Sequence, residues 1–192
     1  MYFTCVSPLN FSQLTYMSIR AEIQDQIGLL IGDGRLFHLP LPVKGEQRVR
    51  SMFVSQEVYD DIQPPFGDNF DGIRHAEFRA TLDSFVRGDF FTVSEEPYKK
   101  PGHTMLARVD PAQDEIWDIR CLEPNIRCFG IFAGQDNFIA LTWEYRENLC
   151  SDIDWQREIE RCKTRRTDFF GTIALFKGGS IDEYLSDNYR AV

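Results

Sequence analysis

The chain of 192 residues has little histidine, with only His38, His75 and His103, and its five cysteines show no short paired spacing. An odd, scattered set (Cys5, Cys121, Cys128, Cys150 and Cys162) excludes both a secreted disulfide framework and a zinc ribbon. A reducing cytoplasm is the expected compartment, and neither a metal nor another cofactor is expected. The glycines of Gly32-Asp33-Gly34 and Gly178-Gly179 lack the Lys-Ser/Thr of a phosphate loop and read as turns. No window approaches the roughly 18 consecutive apolar residues of a membrane span. The opening MYFTCVSPLNFSQLTYMSIR has no basic stretch leading into an apolar one, so it does not read as a signal peptide. Met17 is a candidate alternative start, which would make the first 16 residues a lead-in. Positive charge is also scarce. Against 30 Asp and Glu stand 21 Lys and Arg, a net charge of -9, which disfavours a general electrostatic grip on nucleic acid or anionic membrane.

What the chain has is apolar mass. It is 43% hydrophobic with 16 phenylalanines, enough to build a core that offsets the entropy of ordering the chain. The segment Gln26 to Leu41 places Asp33-Gly34 between two apolar runs, the signature of a two-residue hairpin turn. A β-hairpin is expected there, its second strand ending or lying at an edge because Pro40 and Pro42 lack donors. A short strand is expected at Arg48 to Ser55. The proline-, glycine- and acid-rich stretch Asp60 to Gly72 then marks a boundary between an N-terminal β-rich extension, residues 1–72, and the remainder, residues 73–192.

Between Ile73 and Val86, Phe78, Leu82 and Phe85 form one helical stripe, and Gly88 supplies the stop. Four strands are expected next, at Thr104 to Asp110, Glu115 to Cys121, Ile126 to Ala133 and Asn137 to Glu144, joined by short turns into an antiparallel meander. The last two are almost wholly apolar and read as its covered centre, where Arg127 is the exception. A helix capped by Asp152 or Asp154 runs to about Asp168, packing through Trp155, Ile159, Cys162 and Phe169. The tail from Gly171 reads as a loop followed by a short docked segment. Along the last helix Arg157, Arg161 and Arg165, with Lys163, are candidate RNA contacts, or a solvated face paired with Glu158 and Glu160. Cys121 and Cys128 face each other across a connection and read as small buried hydrophobes. The fold class is α+β.

The order helix, four-stranded meander, helix, with the strings EIWDIRC, NIRCFGIFA and NFIALTWEYREN, resembles the RelE/HigB-like toxin superfamily and its phage-derived branch. The matching positions are Ile119-Arg120, Ile126-Arg127 with Phe129, and Trp143 to Arg146, and the resemblance spans Ile73 to Phe170. It implies a RelE-like fold, a metal-independent endoribonuclease acting on messenger RNA at the ribosome, and an antitoxin partner. By position it makes Arg127 the phosphate-neutralising arginine, Arg146 the transition-state or leaving-group cation, Arg120 an auxiliary RNA contact and Tyr145 an acid/base or stacking group. His103 is the histidine nearest these strands and a candidate base. Where the family often carries lysines, this chain has Trp117 and Asp118. From Ile116 to Asp168 ten acids face eight bases, a net charge of -2. That balance supports an alternative, a catalytically inactive acidic protein that occupies a basic site on a nucleic-acid-processing enzyme. A third expectation is an assembly protein that self-associates through the edge of the N-terminal hairpin. Arg120 and Arg127 then have a structural reading, pairing with Asp118, Glu123 or Glu144 across the sheet.

Overall fold

The computed structural model describes residues 11–41, 43, 45–97 and 101–192. Among the described residues four α-helices and eight strands form an α+β fold around one mixed sheet. The helices are α1 (Phe11–Gly32), α2 (Gln56–Asp61), α3 (Phe70–Arg87) and α4 (Asp152–Phe170). The strands are β1 (Leu36–His38), β2 (Ser51–Ser55), β3 (Phe91–Ser94), β4 (Leu106–Arg108), β5 (Trp117–Cys121), β6 (Ile126–Gly134), β7 (Asn137–Tyr145) and β8 (Tyr189–Ala191).

The spatial order is β1-β2-β7-β6-β5-β4-β3-β8. The pairs β4/β5, β5/β6 and β6/β7 run antiparallel, whereas β2/β7, β3/β4 and β3/β8 run parallel, so the sheet as a whole is mixed rather than antiparallel. Both β1 and β2 join the same sheet as the strands after Ile73.

The expected hairpin at Gln26 to Leu41 is replaced by the end of a helix followed by an edge strand. Ile23, Ile27 and Leu30 recur at helical spacing and are buried, while the intervening Gln24, Asp25 and Leu29 are exposed. Asp33-Gly34 closes this helix. Arg35 N–H donates to Leu30 O at 2.9 Å and Gly34 N–H to Ile31 O at 3.1 Å, with Gly34 at φ +68, which is a Schellman cap. Asp-Gly suits this cap for the reason that it suits a hairpin turn, namely tolerance of positive φ. Strand β1 ends before Pro40 at the sheet edge, and Pro42 lies outside the described residues, as do residues 1–10 of the expected lead-in; from Phe11 onward the chain is helical.

Both faces of the central strands are covered, and all nine residues of β6 are buried. On one face α3 packs Phe78 against Trp143 and Phe85 against Phe138, with ring centroids 5.7 and 5.9 Å apart. On the other, Ile23 of α1 and Phe170 of α4 meet Ile131, and Trp155 of α4 meets Phe129 edge-on. Those of these side chains that are fully buried, which excludes the partly exposed Trp143 and Trp155, contribute roughly 1.5–3 kcal/mol each. The N-cap of α4 is Ser151 rather than Asp152 or Asp154. Ser151 and Asp154 cap each other reciprocally, the Ser151 hydroxyl accepting from Asp154 N–H while the Asp154 carboxylate accepts from Ser151 N–H. The tail docks as the short strand β8, and buried Arg50 staples it by donating to Asp187 O at 2.5 Å and Asp89 O at 3.1 Å.

The shift of register between β6 and β7 at Phe129/Gly130 brings backbone onto Gly130, where a Cβ would meet Ile139 O at 2.1 Å and the Phe138 ring at 2.8 Å. Gly130→Ala is expected to destabilise the protein by about 3 kcal/mol, read as a lower midpoint of urea unfolding.

Candidate functional site

Two clusters meet at the end of β5, β6 and β7, on opposite faces of the sheet. Register sets the first. Arg120 stands opposite Arg127, Arg127 opposite Glu144, and Asp118 two residues from Arg120 on the same strand, so all four share one face. Asp118 is 0% exposed, and Arg120 and Arg127 are each 9% exposed. Asp118 Oδ2 accepts from Arg120 Nε at 2.9 Å and lies 3.6 Å from Arg127 Nε. Burial pushes the pKa of Arg127 down to about 10; Asp118 acts against this, while Arg120 and Arg146 add to it. Arg146 donates to Leu149 O at 2.5 Å and lies over the Trp155 ring at 5.6 Å.

Helix α4 covers this face and is itself held by charge. Arg161 binds Glu158 through two nitrogens at 2.8 Å, Glu57 of α2 at 2.5 Å and Trp143 O at 2.7 Å. Arg165 binds Glu57 at 3.1 Å. Burial opposes the charge on Arg161, but Glu158 and Glu57 outweigh it, and its pKa is raised. Lys163 bridges Glu160 and Asp114, and Arg157 pairs with Asp154 at 2.9 Å on an exposed face. Arg157, Arg161 and Arg165 of α4 are thus engaged with carboxylates of this chain. Beside the first turn of α4, Arg120 faces an open cavity of about 470 Å³ whose other charged walls are Asp110 and Asp152.

The second cluster lies on the α3 face. Tyr145 Oη is 3.1 Å from His75 Nε2, Arg74 stacks 3.5 Å over the Tyr145 ring, and Asp61 lies 3.9 Å from His75 Nδ1. Arg74 is held by Glu147 at 2.9 and 3.2 Å, and Asp61 accepts from Trp143 Nε1 at 2.9 Å. Burial raises the Tyr145 phenol above its ordinary value, against the pull of Arg74. A protonated phenol touching an imidazole can donate its proton to the unprotonated ring nitrogen.

Sequence reading singled out Tyr145 but missed His75, Arg74 and Asp61 as its partners. The available signal was the position of Arg74-His75 in the first turns of a helix whose stripe packs on the sheet. His103 joins neither cluster; it is exposed beyond β3, its carbonyl accepts from Thr92 Oγ1 at 2.6 Å, and its ring has no partner among the described residues. Cys128 stands opposite Ile119, and Cys121 opposite Ile126, so the two thiols are offset; burial raises the pKa of both. Among the described residues no group of three or more His, Cys, Asp or Glu side chains is arranged to hold a metal ion, and no helix is long and apolar enough to cross a membrane.

Compared with protein-family models, with curated proteins and with solved structures, the chain shows no significant match.

Removing the Asp118 charge would strand two buried guanidinium groups. Asp118→Asn is expected to cost about 3–5 kcal/mol, whereas Arg127→Met, which leaves Asp118 paired with Arg120, should cost clearly less; urea denaturation of both variants checks the order. Glu158 gives a pH test. Burial raises its pKa above the ordinary 4.5 despite Arg161, so between these two values the folded state holds more protons than the unfolded one. Stability relative to Glu158→Gln should therefore fall as pH rises through that window, and a pH series of unfolding curves will show the slope.

Proposed function

We propose that the chain is a RelE/HigB-like, toxin-related protein of phage or mobile-element origin that works by binding. On this reading its arginine cluster serves the fold, and its acidic surface occupies a basic site on a nucleic-acid-processing enzyme. The observation that carries this is Asp118, wholly buried against Arg120 and Arg127 where a nuclease would need a phosphate. The open cavity beside these residues adds Asp110 and Asp152 to the one arginine, which leaves its lining acidic.

The start of α3 supplies the surface this reading requires. Phe70 is 72% exposed and Ile73 57%, two adjacent apolar side chains one turn apart. Exposed Asp68, Asp71 and Glu77 stand within four residues of them in the chain. Apolar anchors within a charged rim are how an interface combines affinity with electrostatic selection of its partner.

A second reading is a metal-independent endoribonuclease, favoured by the His75–Tyr145 contact at 3.1 Å, an acid/base pair of the kind that transfer of a 2′-hydroxyl proton uses. One experiment separates the two. The purified chain is incubated with RNA, with and without ribosomes, in the presence of chelator, and in parallel titrated against individual heparin-binding enzymes that act on nucleic acid. Binding predicts intact RNA and a stoichiometric complex with one such enzyme that competing polynucleotide dissolves. The double variant Asp68→Lys, Asp71→Lys should weaken that complex at least about tenfold. Chelator-resistant RNA cleavage that disappears in His75→Ala would overturn the binding reading.

A further inference from the structure

The cavity between β4, β5 and the first turns of α4 brings together three charged groups with unspent hydrogen-bonding capacity. Arg120 is fixed through Nε by Asp118 at 2.9 Å, and its two Nη atoms have no partner among the described residues. Asp110 and Asp152 likewise make no ion pair or side-chain hydrogen bond among the described residues. The volume, about 470 Å³, falls within the range of small-molecule sites. Trp155 forms one wall and is itself held edge-on against Phe129, with ring centroids 5.9 Å apart. Gln156 adds a neutral donor and acceptor beside it.

The charge pattern selects the ligand. A phosphate or other dianion would meet two carboxylates for one guanidinium, with Asp118 behind it. A simple amine would satisfy the aspartates and leave the Arg120 fork to water alone, forgoing the bidentate charge-assisted bonds that a carboxylate makes to it. A molecule carrying one carboxylate and one ammonium satisfies both ends, and the indole wall suits an apolar side chain.

We propose that this cavity binds a small zwitterion of the α-amino-acid class with an aromatic or large aliphatic side chain. The carboxylate sits on the Arg120 Nη fork, the ammonium lies between Asp110 and Asp152, and the side chain rests on Trp155. The site is separate from the α3 surface of the preceding reading and stands or falls independently of it.

The test is calorimetry, with tryptophan fluorescence as a second readout, using L-phenylalanine and L-leucine as probes. At least one of the two should bind saturably. N-acetyl-L-phenylalanine, which lacks the ammonium, and L-phenylalaninamide, which lacks the carboxylate, should each bind at least about tenfold more weakly than the parent amino acid. Asp152→Asn should weaken binding by a similar factor, and Gln156→Trp, which fills the cavity without altering charge, should abolish it. Both positions are exposed, and thermal melts confirm that the variants fold. The proposal is overturned if neither amino acid binds up to about 10 mM. It is equally overturned if the one-charge analogues or inorganic phosphate bind as tightly, or if Gln156→Trp leaves binding intact. Capture of a heparin-binding enzyme should be unchanged in Gln156→Trp, which alters no charge, so failure here leaves the α3 reading untouched.

Discussion

Burial of β5, β6 and β7 on both faces is the constraint from which the other features follow. With α3 on one side and α1 with α4 on the other, any charge on these strands must be neutralised where it stands, because an unpaired ion in such surroundings costs several kcal/mol. Asp118 is the answer for Arg120 and Arg127. The same logic explains why α4 docks through charge as well as apolar contacts: its Arg161 and Glu158 form a pair that continues into Glu57 of α2. The helix shields the arginines while its own Arg157, Arg161, Lys163 and Arg165 are held by acids of the same chain.

The elements legible in the sequence are those whose pattern is local. The α3 stripe of Phe78, Leu82 and Phe85, the apolar runs of β6 and β7, and the turn residues between β4 and β7 each show themselves within a dozen positions. Helix α1 was misread because Asp33-Gly34 meets the demands of two structures, and only the stripe of Ile23, Ile27 and Leu30 distinguishes them. The parallel pairings were not legible at all. Strand β2 lies beside β7, more than eighty residues away in sequence, and β8 reaches β3 across a comparable span; nothing local encodes such partners.

The site follows the same division. Asp118, Arg120 and Arg127 lie within one hairpin, so their mutual pairing could be read from alternation along two neighbouring strands. The association of Tyr145 with His75, Arg74 and Asp61 depends on how α2 and α3 lie across the sheet, a tertiary relation with no short-range signature. His103 illustrates the opposite error. Proximity in sequence to the strands suggested a base, yet the β3–β4 connection places it away from both clusters.

The distribution of buried charge also bears on what the surface can do. Among the described residues five buried arginines, Arg50, Arg74, Arg79, Arg120 and Arg127, stand against four buried acids, Asp83, Glu115, Asp118 and Glu158. The interior therefore withdraws more positive than negative charge from the surface, which is left more acidic than the whole-chain value of -9 indicates. A nuclease needs its cations where a polyanion can reach them. Here the cations best placed by sequence are the ones that the core consumes, and what remains outside at the start of α3 is carboxylate around exposed phenylalanine and isoleucine. That outcome does not require a special history for each residue. It follows from packing α3 onto a sheet covered on both faces, Arg120 and Arg127 lying on its strands and Arg74 and Arg79 on that helix, since each side chain drawn inward brings its counter-charge only as far as pairing demands.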